Sequence, residues 1–206
     1  MPRTTRRRAA IGLGVALLAL VLAVPATSAA DAKTKLASIR SNGTQGNDNS
    51  YDPSISDDGR YVAFESWASN LVNNDTNGAE DVFVHDRQTG KTKRVSKRFD
   101  GTEASGGSSD RASISDDGRY VAFQSDATNL VANDTNGESD IFVHDRKTRK
   151  TKRVSKSSNG TQGNGESDNP SISGNGRYVA FKSYATNLVK NDTNGKLDIF
   201  WRHLRR

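Results

Sequence analysis

The chain has 206 residues and no cysteine, which excludes disulfides, thiolate metal sites and cysteine-linked lipids. Of its +6 net charge, four units come from Arg3, Arg6, Arg7 and Arg8 and three more from Arg202, Arg205 and Arg206, so the body between is slightly acidic. The basic balance belongs to the two ends and implies no nucleic-acid partner.

The first element is a leader. A basic front is followed by an apolar run from Ala9 to Val24 and by the small residues Ala26, Thr27, Ser28, Ala29 and Ala30. That is the layout of a secretory signal peptide over residues 1–30. The run, about sixteen residues, is short of the roughly 20 that a spanning helix needs. The expectation is a secreted, periplasmic or cell-surface protein with no membrane span after cleavage, its folded part lying in 31–206.

Next comes KTKLASIR from Lys33, which matches KTKRVSK at Lys91 and again at Lys150. A strand is expected over 34–39, one that belongs at the end of a repeat. The polar stretch NGTQGNDNSYD from Asn42 returns as DGTEASGGSSDR from Asp100 and NGTQGNGESDN from Asn159, and has no apolar face to bury. It reads as a surface loop.

The repeat itself then begins. PSISDDGRYVAFESWASNLVNNDTNGAEDVFVHDRQTGKTKRVSK from Pro53 recurs from Ala112 and, in part, from Pro170, and Gly59, Gly118 and Gly176 mark spacings of 59 and 58 residues. A fixed period of this size signals an array of like units. Each unit divides into four short strands. In the first they are Ser54–Ser56, Tyr61–Ser66, Asp81–Asp86 and Thr92–Ser96, with a tight turn at Asp57–Arg60 in which Gly59 takes positive φ. The aromatic and β-branched content of YVAF and DVFV suits a pleated surface. No stretch after the leader carries apolar residues at helical spacing, so almost no helix is expected.

Four antiparallel strands per unit describe the blade of a β-propeller. PSISDDGRYVAF followed by DVFVHD resembles the TolB-like, WD-repeat-like propeller repeat of exported bacterial proteins, over essentially all of residues 33–203. The resemblance implies an all-β, propeller-like fold of three four-stranded blades, near 53–97, 112–156 and 170–203. It leaves function open, because such repeats occur in translocation components and in peptidase propellers alike. The second copy departs from the pattern at Ala112, and the third at Gly174 and Asn175. Three blades are fewer than the about four to eight of closed rings. Either the array is a partial ring, or strand 34–39 of one copy completes the last blade of another, giving a homodimer with a six-bladed ring.

Two sets of residues stand out. Asp75, Asn77 and Asp81 recur as Asp134, Asn136 and Asp140 and as Asp192, Asn194 and Asp198, each with glycine after the asparagine. Oxygen ligands around a glycine turn are what calcium needs; turn capping and strand anchoring by the same side chains is the alternative. His85 and His144 occupy one repeat position, which fits a polar residue on an outer strand better than catalysis. The second set consists of positions where the copies differ, since an asymmetric ligand should be met there: Trp67, Asp126 and Tyr184, and Lys182 where Glu65 and Gln124 stand in the other copies. Exposed rings make stacking platforms for a sugar or peptide. The expectation is a non-enzymatic binding or scaffold protein with a protein or carbohydrate ligand; the alternative is an extracellular hydrolase or lyase acting on polysaccharide or peptide.

Overall fold

The structure, a computed structural model, describes residues 33–204; the leader expected at 1–30 lies outside them. Eleven strands follow one another without a helix among the described residues, and so without one that could cross a membrane. They are β1 (Ser50–Ile55), β2 (Tyr61–Ser66), β3 (Asp81–Asp86), β4 (Lys91–Arg94), β5 (Ser109–Ile114), β6 (Tyr120–Ser125), β7 (Asp140–Asp145), β8 (Lys150–Arg153), β9 (Ser167–Ile172), β10 (Tyr178–Ser183) and β11 (Asp198–His203).

They form three antiparallel sheets, β1-β2-β3-β4, β5-β6-β7-β8 and β9-β10-β11, each a meander and each one repeat. We call these blades 1, 2 and 3. The architecture is the propeller-like one expected, with two differences. Residues 34–39 form no strand: among the described residues Ile39 alone of them bridges, to Gln45, and no strand lies beside the others to supply a ladder. For the same reason blade 3 has three strands among the described residues, not four.

The first strand of each blade also starts earlier than Ser54. A bulge at Asp52, Arg111 and Asn169, all at positive φ, lets the polar residues at 50–52 and their counterparts rejoin the ladder, a device that alternation alone does not reveal. The turns match expectation: Gly59, Gly118 and Gly176 have φ near 65°.

The core lies between sheets. Val82, Val84, Val95 and Ala63 of blade 1 pack on Ala112, Ile114, Val121 and Phe123 of blade 2. The contact repeats one blade on, where Ala122, Ile141, Val143 and Val154 meet Ile172, Val179 and Phe181. Each fully buried apolar side chain of this kind contributes about 1.5–3 kcal/mol. Phe64–Phe83, Phe123–Phe142 and Phe181–Phe200 stack across β2–β3 and its two counterparts, all at 5.9 Å. At each junction the ring of Tyr61 or Tyr120 lies where a Cβ on Gly118 or Gly176 would stand, so glycine is required there for close approach as well as for φ.

Candidate functional site

The face that carries the long connections is built by one repeated device. The serine ending each second strand, Ser66, Ser125 or Ser183, donates its hydroxyl to the carbonyl of Asn49, Ser108 or Glu166 at 2.9–3.0 Å. It also accepts from the amide two residues on, at 3.0–3.1 Å. The residue in between donates its own amide to that same carbonyl. Its backbone is therefore fixed while its side chain is turned outward. The residues in this seat are Trp67, Asp126 and Tyr184. Trp67 is 45% exposed and Tyr184 54%, and Asp126 is exposed between them in blade order.

Lys182 lies on the strand leading to Tyr184, and its Nζ pairs with Asp168 at 2.8 Å. Arg111 of blade 2 reaches the same carboxylate at 2.9 Å and Asn169 Oδ1 at 3.1 Å, so Lys182 belongs to a polar network spanning the junction of blades 2 and 3. Of the four residues singled out from copy differences, Trp67, Asp126 and Tyr184 thus share one seat, and Lys182, two residues before Tyr184, belongs to a separate network. Trp67 and Tyr184 sit on blades 1 and 3, and the structure gives them no mutual contact.

The same end of the blades holds carboxylates that the pattern search passed over. Glu80, just before β3, is buried, and its Oε1 has no hydrogen-bond partner among the described residues; the same is true of Asp110 Oδ1. Burial, and then the charges of Glu65, Asp110 and Asp52, push the Glu80 carboxyl up to about 7. Burial and the charge of Glu65 push Asp110 up to about 6. Glu65 is raised by burial too, although the Arg111 amide donates to it. A signal for this group was present: position 80 reads Glu80, Ser139 and Leu197 in the three copies.

The loops expected to take calcium are arranged differently from a calcium cage. In blade 1, Arg94 places its guanidinium on Asp75 (3.0 Å), Asp81 (2.8 Å) and Glu103 (2.9 Å), while Asn77 donates to Asp81 and to the carbonyl of Ala104. In blade 2, Arg153 lies 2.8 Å from both Asp134 and Asp140, and Asn136 repeats the asparagine's role. The cation held by those carboxylates is an arginine. Burial still raises Asp75 to about 6 against the pull of Arg94. In blade 3, Asn194 donates to Asp198 at 2.8 Å, and Asp192 and Asp198 carry no guanidinium among the described residues.

His85 and His144 are buried, a correction to the outer-strand reading, and each ring Nδ1 faces the hydroxyl of Thr92 or Thr151 at 2.9–3.0 Å. Burial holds both below the usual histidine range, His144 down to about 4, so they are neutral structural residues near pH 7. Thr92 and Thr151 pass the bond on to the carbonyls of Ile39 and Lys97. Blade 3 has Arg202 at the histidine position, and Arg202 donates to the equivalent carbonyl of Lys156 directly.

No protein-family model matches the chain, and no curated protein matches it. Among solved structures it is similar to TolB from Acinetobacter baumannii, at 18% identity and a TM-score of 0.44 over 76% of this chain and 30% of that one. It is also similar to a putative TolB from Agrobacterium tumefaciens, at 19% identity and 0.45 over 75% and 50%. An oligogalacturonate lyase in complex with manganese matches at 14% identity and 0.43 over 78% and 36%. The chain thus spans half or less of the length of these proteins.

Proposed function

We propose that the chain is an exported, non-enzymatic binding or scaffold protein whose long-connection face takes a carbohydrate or peptide ligand. The observation that carries this is the seat shared by Trp67, Asp126 and Tyr184: two large rings are left half exposed on backbones pinned by hydrogen bonds. A solvent-exposed ring carried on a fixed backbone loses less freedom on stacking than one on a mobile loop. The network of Lys182, Asp168 and Arg111 brings charged hydrogen-bonding groups to the strand that leads to Tyr184.

The test is titration of the purified chain with soluble polysaccharides and with a peptide array. Trp67→Ala and Tyr184→Ala are expected to weaken the best binder roughly tenfold each, with melting unchanged. Undiminished binding by the double variant would remove the stacking face.

One observation favours a second reading, an extracellular hydrolase or lyase acting on polysaccharide or peptide. A buried carboxyl raised to about 7 with a free oxygen, as at Glu80, is suited to acid–base work near neutrality. Turnover of the bound ligand that is lost in Glu80→Gln would favour it. Any calcium stabilisation rests on Asp192, Asn194 and Asp198, the set that no arginine occupies among the described residues.

A further inference from the structure

The two outer faces of the array carry opposite halves of the contact that joins its blades. At the blade 1 end, Ile55 is 57% exposed, although its counterparts Ile114 and Ile172 are buried against the preceding blade. Gly59 is there too, with no ring over it, whereas Gly118 and Gly176 each lie under a tyrosine. At the blade 3 end, Ile199 and Trp201 are 76% and 71% exposed, although their counterparts Val82 and Val84, and Ile141 and Val143, are core residues. Tyr178, the counterpart of Tyr61 and Tyr120, is exposed as well.

The polar parts match in the same way. Thr76 bonds Glu103 across the first junction, and Thr135 bonds Gln162 across the second at 2.9 Å; Thr193 and Gln45 are the unjoined members of this series. Asn77 and Asn136 donate to the carbonyls of Ala104 and Gly163, which leaves Asn194 and Gly46. Glu65 and Gln124 accept the bulge amides of Arg111 and Asn169. The next blade carries Lys182 at that position, a donor that cannot accept an amide, and the bulge residue of blade 1 is Asp52, so at the ring junction the amide's bond is replaced by an ion pair between the Lys182 ammonium and the Asp52 carboxylate. The loop with Gln45 and Gly46 is already fixed on blade 1, since Asn70 donates to the Gln45 carbonyl at 2.9 Å.

Beside β11 lies a groove of about 1430 Å³, walled by Lys150, Lys152 and Val154 of blade 2 on one side and by Asp198, Phe200 and Trp201 on the other. β4 and β8 fill this position in the other blades.

We propose that two copies of the chain close head to tail into a six-bladed ring, blade 3 of each packing on blade 1 of the other. Both junctions are identical, as a closed head-to-tail pair requires. Residues 35–39 then fall along the open edge of β11. Ser38 meets Asp198 as Ser96 meets Asp81 and Ser155 meets Asp140. Leu36 replaces the arginine of the inner blades, so Asp198 keeps only Asn194 and Ser38. The proposal does not rest on the stacking rings Trp67 and Tyr184, which take no part in the contacts above; Lys182 is the one residue it shares with the ligand-binding reading.

The absence of cysteine makes the test clean. The full chain at low micromolar concentration is expected to scatter light as a dimer. The variant carrying Gln45→Cys and Thr193→Cys, positions that a glutamine side chain and a hydrogen bond span at the second junction, should be joined into a covalent dimer by a short bis-maleimide, and Ile199→Asp should give a monomer. A wild-type monomer, an open-ended series of larger species, or a dimer whose cysteines the bis-maleimide leaves unjoined would each overturn the ring. The cysteine pair keeps the test decisive if Ile199→Asp fails to fold.

Discussion

Blades 2 and 3 present almost the same strands under opposite conditions. Ile141 and Val143 of β7 vanish beneath blade 3, while Ile199 and Trp201 of β11 face solvent. The residues do not bury themselves. Burial is conferred by the next blade, and the strand alone supplies only a face ready for it. The loops differ in parallel: Asp134 and Asp140 are neutralised by Arg153 from β8, while Asp192 and Asp198, with no fourth strand beside them among the described residues, are not.

The sharpest way to break this comparison is to remove the arginine. Arg153→Ala leaves two buried carboxylates uncompensated and should cost about 3–5 kcal/mol in urea unfolding. Asp198→Asn in blade 3, where no guanidinium is lost, should stay within about 0.5 kcal/mol. Equal costs would mean that the two loops are alike after all.

A smaller contrast separates the glycines. In the Ile199→Asp background, Gly59→Ala should cost about 1–2 kcal/mol for the left-handed backbone alone. Gly118→Ala pays the same and also collides with Tyr61, adding about 1–3 kcal/mol.

A third contrast concerns pH. Glu80 is raised in the folded state from 4.5 to about 7, so between those values the folded chain holds more protons than the unfolded one. Its contribution to stability is present below about pH 4.5 and is lost as pH rises through 7. Glu80→Gln should therefore raise the melting temperature at pH 8 and flatten its fall between pH 5 and 8, as read by thermal scans at a series of pH values. Asp86 works the other way, held low by its bond to Arg60, and loses its contribution only in strong acid.

The repeat spacing made blade number, strand order and the glycine turns legible, because each copy corroborates the others. The bulges at Asp52, Arg111 and Asn169 were not, since a positive φ at a non-glycine residue leaves no pattern in the sequence. The outward seat of Trp67, Asp126 and Tyr184 was legible from copy differences. Copy differences mark position 80 as well, but the elevated proton affinity of the Glu80 carboxyl was not legible, because it comes from burial and from charges on three separate strands. Arg94 and Arg153 were hidden among the lysines of KTKR, where nothing but the alternation of β4 and β8 says which cation turns inward.

Amide hydrogen exchange at β7 and β11, compared between the wild type and Ile199→Asp, tests most directly whether a blade is protected by the like blade on its open face. β7 should exchange slowly in both chains, and β11 should exchange at least about tenfold faster in Ile199→Asp than in the wild type, where the proposed ring covers it with a partner's first blade. Equal protection of β11 in the two chains, or protection matching that of β7 in the monomeric variant, would contradict the account.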